Sequence, residues 1–154
     1  NERGGYRQKV NHWHLENLLG FGAGARSYLW DCDFRNGYSV KHRNRAFKGY
    51  LERIDNIGPA VVDGFLMDED ERRRKAIILG LINLSETWFY QMFGLTPNQA
   101  FPSQFETLFK LGLLTKEGDF FKLTEQGIRH RDVIVQIFFS ERIRSLLEVF
   151  NYVE

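Results

Sequence analysis

The sequence predicts an α+β protein, predominantly helical, on three observations. Glycines and short extended patterns dominate residues 1 to 40. From Asn44 onward, apolar residues recur at spacings of three and four, the period of an amphipathic helix. Between about residues 112 and 124 the pattern changes again, to two short strand-like runs around a glycine turn. The expected organisation is therefore an extended region over 1–40 and a helical region over 41–154 that carries a winged hairpin.

Each element has a local reason. Tyr6 to Trp13 and Leu18 to Trp30 read as extended segments, and Arg35-Asn36-Gly37-Tyr38 reads as a turn. In NRAFKGYLERIDNIG, Phe47, Tyr50, Leu51, Ile54 and Ile57 form one apolar stripe. Gly58-Pro59 stops that helix, because glycine accepts a left-handed turn and proline cannot donate the next hydrogen bond. Asp68 with Glu71 three residues on has the spacing of a capping box. The helix it opens carries Ile77, Ile78, Leu79, Leu81 and Ile82, and is expected to be buried nearly all round. Ser85 is placed to cap a short helix bearing Trp88, Phe89, Met92 and Phe93, which Gly94 ends. Asn98 to Leu111 supplies another helix, with Phe105, Leu108 and Phe109 facing inward. Leu113–Thr115 and Phe120–Leu123 flank the turn Lys116-Glu117-Gly118-Asp119. Thr124 caps a helix running through Ile128, Val133, Ile134, Ile137 and Phe138, and a last helix spans Glu141 to Phe150. About six helices and a small hairpin are expected. Helix, strand, turn, strand, helix is the layout of a winged-helix unit.

Composition narrows the function classes. The 154 residues hold 43% hydrophobic and 15% aromatic side chains, enough for a substantial core, and 14 of them are Phe. A single Cys excludes a disulfide framework, and no His/Cys cluster has structural-zinc spacing. A reducing cytoplasm is the expected compartment. The longest apolar run, Ala76 to Ile82, is far short of a membrane span. With 21 basic and 20 acidic residues, the net charge of +1 offers no general attraction to nucleic acid. The chain begins NERGGYRQKV, without Met, and reads as a piece of a longer protein.

The candidate chemistry is sparse. LLGFGAGARSYL, residues 18 to 29, sets three glycines and two alanines along one line of backbone. Small residues there allow either close packing of two backbones or the approach of backbone amides to a ligand. His12 and His14, two apart, would share one face of a strand as metal ligands can, or sit beside a packed Trp13. Three basic clusters, Lys41 to Arg45, Arg72 to Lys75 and Arg129 to Arg131, keep open an alternative reading. That alternative is a non-catalytic winged-helix domain binding nucleic acid or protein. Against nucleic acid, Asp68-Glu69-Asp70-Glu71 directly precedes the second cluster, and the helix before the hairpin is poor in donors for bases. No nucleophile elbow, phosphate loop or HExxH pattern occurs.

Asn11-His12-Trp13, LLGFGAGARSYL, LGLL and KLTEQG together resemble the C-terminal half of the oxygen-independent coproporphyrinogen III oxidases and their relatives. These are radical S-adenosylmethionine enzymes. The resemblance runs from about Gly5 to Ile137. It implies that residues 1–40 are the last strands of a catalytic barrel and that a helical domain follows. For a full-length parent it implies S-adenosylmethionine, a 4Fe-4S cluster held by three cysteines, and a tetrapyrrole substrate, a porphyrinogen or heme. The three-cysteine motif is not in this sequence, so the piece alone is expected to bind none of these groups and to be inactive. By the same resemblance Gly22, Gly24 and Ala25 lie against S-adenosylmethionine, and Ile77 matches an apolar residue near it. Relatives often have His where this chain has Arg26. A fragment of a barrel also implies an exposed edge through which copies could associate, with neither a membrane nor nucleic acid as partner.

Overall fold

A computed structural model describes residues 12–37 and 43–149, the side chains of 43–46, 57 and 149 excepted. Two compact units follow one another along the chain, dividing between Asp68 and Glu69. The division lies beyond residue 40 because the helix after the glycine-rich region leads into a strand of the same first unit.

In the first unit, β1 (Arg26–Tyr28), β2 (Cys32–Asn36) and β3 (Val61–Leu66) form an antiparallel sheet in the order β1-β2-β3. A two-residue turn at Trp30-Asp31 joins β1 to β2, closed by Leu29 N–H donating to the Cys32 carbonyl at 2.8 Å. The expected single strand over Leu18 to Trp30 is therefore corrected. Leu18 bridges antiparallel to Tyr28, so the chain doubles back between them. The expected turn at Arg35-Asn36 is likewise corrected: both residues pair in β2, and Asn36-Gly37 ends the strand. His12 and Trp13 start a helical turn and not a strand, with Leu15 N–H donating to the His12 carbonyl at 3.2 Å. Tyr6 to Asn11 and Tyr38 lie outside the described residues.

Helix α1 (Arg43–Ile57) ends where expected, at Gly58 with φ +91°. Its apolar stripe stays open to solvent, with Phe47 56%, Leu51 57% and Ile54 42% exposed. β3 was not foreseen. Its sequence, VVDGFL, lacks an alternating pattern and has glycine at its centre. Gly64 is there because a Cβ would sit 3.2 Å from that of Phe34 and 3.3 Å from the Asp33 carbonyl oxygen on β2.

The second unit is built around phenylalanine. Helix α2 (Glu69–Gly80) buries Ala76 and Ile77 completely and Glu71 nearly so, and the Ser140 hydroxyl donates to Glu71 Oε1. It is not buried all round: the chain leaves the helix at Gly80, and Ile82 is 40% exposed. β4 (Leu84–Ser85) then joins β5 (Leu114–Glu117) and β6 (Phe120–Leu123) in a second antiparallel sheet, ordered β4-β6-β5. Helix α3 (Glu86–Phe93) has the foreseen caps. Ser85 Oγ accepts from Trp88 N–H, and Gly94 closes the helix at φ +73°.

The expected helix over Asn98 to Leu111 is split into α4 (Pro97–Ala100) and α5 (Pro102–Lys110). Phe101 precedes a proline, whose ring disfavours helical backbone at that position, and it adopts φ −137° and ψ 63°. The expected helix from Thr124 to Phe138 is also broken, at His130, whose φ of −106° and ψ of 13° depart from helical values without a proline following it. It becomes α6 (Glu125–Arg129), α7 (Arg131–Ile134) and a 3-10 turn over Val135–Phe138. Helix α8 (Glu141–Val149) completes the described chain, and Phe150 lies beyond it. Phe89, Phe105, Phe121 and Phe138 are buried. The Phe105 ring meets those of Phe121 and Phe138 edge-on at 5.1 and 5.9 Å.

Asp119, in the turn between β5 and β6, ties the hairpin to the start of α3. Its carboxylate accepts from Ser85 Oγ at 2.5 Å, Thr87 Oγ1 at 2.6 Å and Thr87 N–H at 3.0 Å. The Ser85 and Thr87 hydroxyl bonds hold its pKa below the usual value against an opposing effect of burial, with lesser contributions from the Thr87 amide and Lys116 adding to the depression.

Candidate functional site

The segment from Leu18 to Tyr28 is a closed loop whose small residues serve two separate ends. The Leu18–Tyr28 bridge is made by two amides, at 2.7 and 2.8 Å, and shuts the base. Gly20 packs against β1 so closely that a Cβ would lie 2.3 Å from the Arg26 carbonyl oxygen. Its N–H donates to the buried Ser27 hydroxyl at 3.0 Å. Gly22 and Gly24 turn the chain, with φ of +102° and +73°, a backbone region costly to any residue bearing a Cβ. A Cβ on Gly22 would meet no protein atom within 4 Å, so at this point the backbone faces open space.

The loop is clamped from β2. Asn36 Nδ2 donates to the carbonyls of Gly22 at 3.0 Å and Gly20 at 3.4 Å, and Asn36 N–H donates to the Ala25 carbonyl at 3.0 Å. Ala25 N–H donates to the Gly22 carbonyl at 3.3 Å. Both backbone groups of Ala25 are thus used inside the loop, and only its methyl group is left to meet a ligand. The amides of Ala23 and Gly24 make no hydrogen bond among the described residues. Phe21, between two glycines at the tip, is 89% exposed. Gly22 to Ala25, expected as strand, is therefore a rigidly held turn that presents free amides beside an exposed aromatic ring.

The four residues expected at a cofactor do not share one element. Gly22, Gly24 and Ala25 form this turn in the first unit, whereas Ile77 is fully buried on α2 in the second. Sequence reasoning missed Ser27 and Asn36, the two side chains that fix the turn. Asn36-Gly37 was a signal for a chain reversal, and only the paired strands reveal that it anchors a neighbouring loop.

The remaining candidates take ordinary roles. The His12 ring packs 4.3 Å from that of Tyr28. Among the described residues no group of three or more His, Cys, Asp or Glu side chains could hold a metal ion. Cys32 is a free thiol on β2 whose Sγ lies 3.8 Å from the Asp33 carbonyl oxygen. In the second basic cluster, Arg73 pairs with Glu69 and Arg74 with Asp70, one helical turn apart. Arg74 also donates to the Phe138 carbonyl at 3.0 Å and lies 5.0 Å from the Phe101 ring centroid. Arg129 pairs with Glu125 at 2.6 Å. The side chains of Lys41 to Arg45 lie outside the described residues. No helix among the described residues is long and apolar enough to cross a membrane.

No protein-family model matches the chain. Among curated proteins it is similar to the heme chaperone HemW of Bacillus subtilis (strain 168), at 27% identity over 124 residues, covering 79% of this chain and 31% of that protein. Among solved structures it is similar to the coproporphyrinogen III oxidase HemN from Escherichia coli, a radical SAM enzyme. That similarity has a TM-score of 0.60 and 24% identity, covering 80% of this chain and 28% of the other. Both are proteins of the kind the glycine loop and the LGLL and KLTEQG segments resemble. The chain spans less than a third of the length of either.

Proposed function

We propose that this chain is part of a cytoplasmic radical S-adenosylmethionine protein that acts on, or carries, a tetrapyrrole, and that the Gly22–Ala25 turn is its contribution to the cofactor site. The observation that carries the reading is the turn itself. Two left-handed glycines shape it, the Ala23 and Gly24 amides are not bonded among the described residues, and an Asn36 and Ser27 clamp fixes the turn before any ligand arrives. Pre-set amides suit a small polar cofactor, because no ordering has to occur on binding. When bound, S-adenosylmethionine would supply the radical chemistry. Residues of this chain would orient it through the Ala23 and Gly24 amides and the Ala25 methyl group. Ile77, expected near the cofactor by resemblance, is fully buried in the second unit and is given no cofactor contact in this reading.

A 4Fe-4S cluster does not fit the residues present. The chain has one cysteine, and three thiolates are needed. The reading therefore places the cluster ligands in another part of the parent protein and makes this piece inactive alone. In this reading residues up to 40 are closing strands of a barrel, and the exposed edge strand β3 is where a second copy of the isolated piece would add. The order β4, three helices, β5, β6 is read as a winged-helix unit used for packing and not for nucleic acid, because Arg73, Arg74 and Arg129 are engaged by acidic neighbours.

The test is the full reading frame, expressed and purified without oxygen. The proposal expects three closely spaced cysteines outside this segment, about four irons per chain after reconstitution, and reductive cleavage of S-adenosylmethionine. A full-length protein that lacks such cysteines and binds no iron overturns it.

A further inference from the structure

One face of the first sheet carries a second feature, independent of the glycine turn. β1 and β2 set Arg26 directly opposite Arg35, and β2 and β3 set Arg35 opposite Asp63. Along the sheet, the next row is Tyr28, Asp33 and Phe65. Because side chains alternate along a strand, these six residues share one face. They line a cavity of about 370 Å³, within the size range of small-molecule sites.

The charges on this face, two Arg and two Asp, are even in number but not in placement. Arg35 is committed to Asp63, through Nη2 at 2.5 Å and Nε at 3.1 Å from Oδ2. Arg26 has no side-chain partner among the described residues. Like charges directly opposite across an antiparallel pair repel each other, and Asp63 lies on the far side of Arg35 from Arg26. An anion seated beside Arg26 relieves that repulsion, and a guanidinium grips a planar carboxylate through two parallel hydrogen bonds. Two aromatic rings stand one row away. The His12 ring lies 4.3 Å from that of Tyr28, tilted by 51°, and Phe65 lies two strands over from Tyr28. Asp33 and Asp63 line the same cavity. Their charges bring the formal sum of the cavity to zero and oppose a polyanion such as nucleic acid, so the attraction for an anion is local to Arg26.

We propose that this sheet face is a binding site for a small monocarboxylate with a flat apolar body, the carboxylate on Arg26 and the body against Tyr28 and Phe65. Nothing in this assignment depends on a radical cofactor.

The test uses the 154-residue chain, titrated by calorimetry with naphthalene-2-carboxylate and with its neutral primary amide, and amide chemical shifts locate the site. The expected result is saturable binding of one carboxylate, shifts concentrated in β1 to β3, and an affinity at least about tenfold weaker for the neutral amide. Arg26→Gln should weaken carboxylate binding by about tenfold or more, and Arg26→Lys by less, since it keeps the charge but loses the fork. Asp63→Asn should tighten binding severalfold by releasing Arg35. Equal affinity for acid and amide, an unchanged Arg26→Gln, shifts outside the sheet, or no saturable binding overturns the proposal. Should Arg26→Gln unfold the unit, Asp63→Asn decides by itself, because no gain in affinity there is a refutation.

Discussion

Replacing Gly20 with Ala should open the glycine loop from its base, whereas the same change at Gly22 should only strain its tip. At Gly20 the added Cβ would stand 2.3 Å from the Arg26 carbonyl oxygen, and that oxygen belongs to backbone that is paired with β2. Ordinary contact would need the two backbones to part by about 1 Å, and overpacking of that kind costs about 1–3 kcal/mol. The same movement draws Gly20 N–H away from the Ser27 hydroxyl and stretches the Leu18–Tyr28 bridge, at about 1 kcal/mol for each bond lost. The local cost is about 2–4 kcal/mol. Gly22→Ala meets no atom within 4 Å and is charged only for its φ of +102°, about 1–2 kcal/mol. Native-state hydrogen exchange reads both changes. The Leu18 and Tyr28 amides should exchange about 30- to 1,000-fold faster in Gly20→Ala, and those of the second unit should be unchanged. Unchanged protection of Leu18 and Tyr28 in Gly20→Ala would refute the claim that this glycine exists for close packing.

Other substitutions test the second unit. Gly127→Ala should prevent that unit from folding normally, because the Cβ would lie 2.1 Å from the Leu113 carbonyl oxygen in a buried position, and thermal melting should show it. Phe138→Ala should cost about 3–5 kcal/mol in urea denaturation, since it removes a fully buried ring that meets both Phe101 and Phe105. Asp119 has a folded pKa below its unfolded value, so its contribution to stability is complete above about pH 4 and is lost as pH falls through the folded value. Asp119→Asn should accordingly flatten the acid limb of the stability profile, and an unaltered limb would contradict the Ser85 and Thr87 bonds assigned to it.

What was legible in the sequence was mainly what is local. Ser85, Gly94 and Thr124 announce helix ends, because a cap is a bond between residues three or four apart. Gly118 announces the hairpin, although β5 extends through Glu117 and leaves a turn of only Gly118-Asp119. Long-range pairing was not legible. β3 has no alternating pattern, since Val61, Val62 and Leu66 are all exposed. β2 contains Arg35 and Asn36, which in isolation suit a turn. For the candidate site, the small residues drew attention for a sound reason, but their spacing did not separate Gly20, needed for contact, from Gly22 and Gly24, needed for φ. The Asn36 clamp spans 14 residues to Gly22 and leaves no periodic trace. Helix α1 shows the reverse case: its stripe of Phe47, Leu51 and Ile54 is clear in the sequence, yet it is exposed in the first unit.

The central claim is that the Gly22–Ala25 turn holds S-adenosylmethionine through pre-set backbone groups. Equilibrium binding of S-adenosylmethionine to the cluster-loaded full-length protein tests it most directly, comparing the parent sequence with Gly24→Val. At φ +73° valine both strains the turn and places a branched side chain beside the free amides. The account predicts an affinity at least about tenfold lower, with the second unit melting at its original temperature. Affinities within twofold of each other would contradict it.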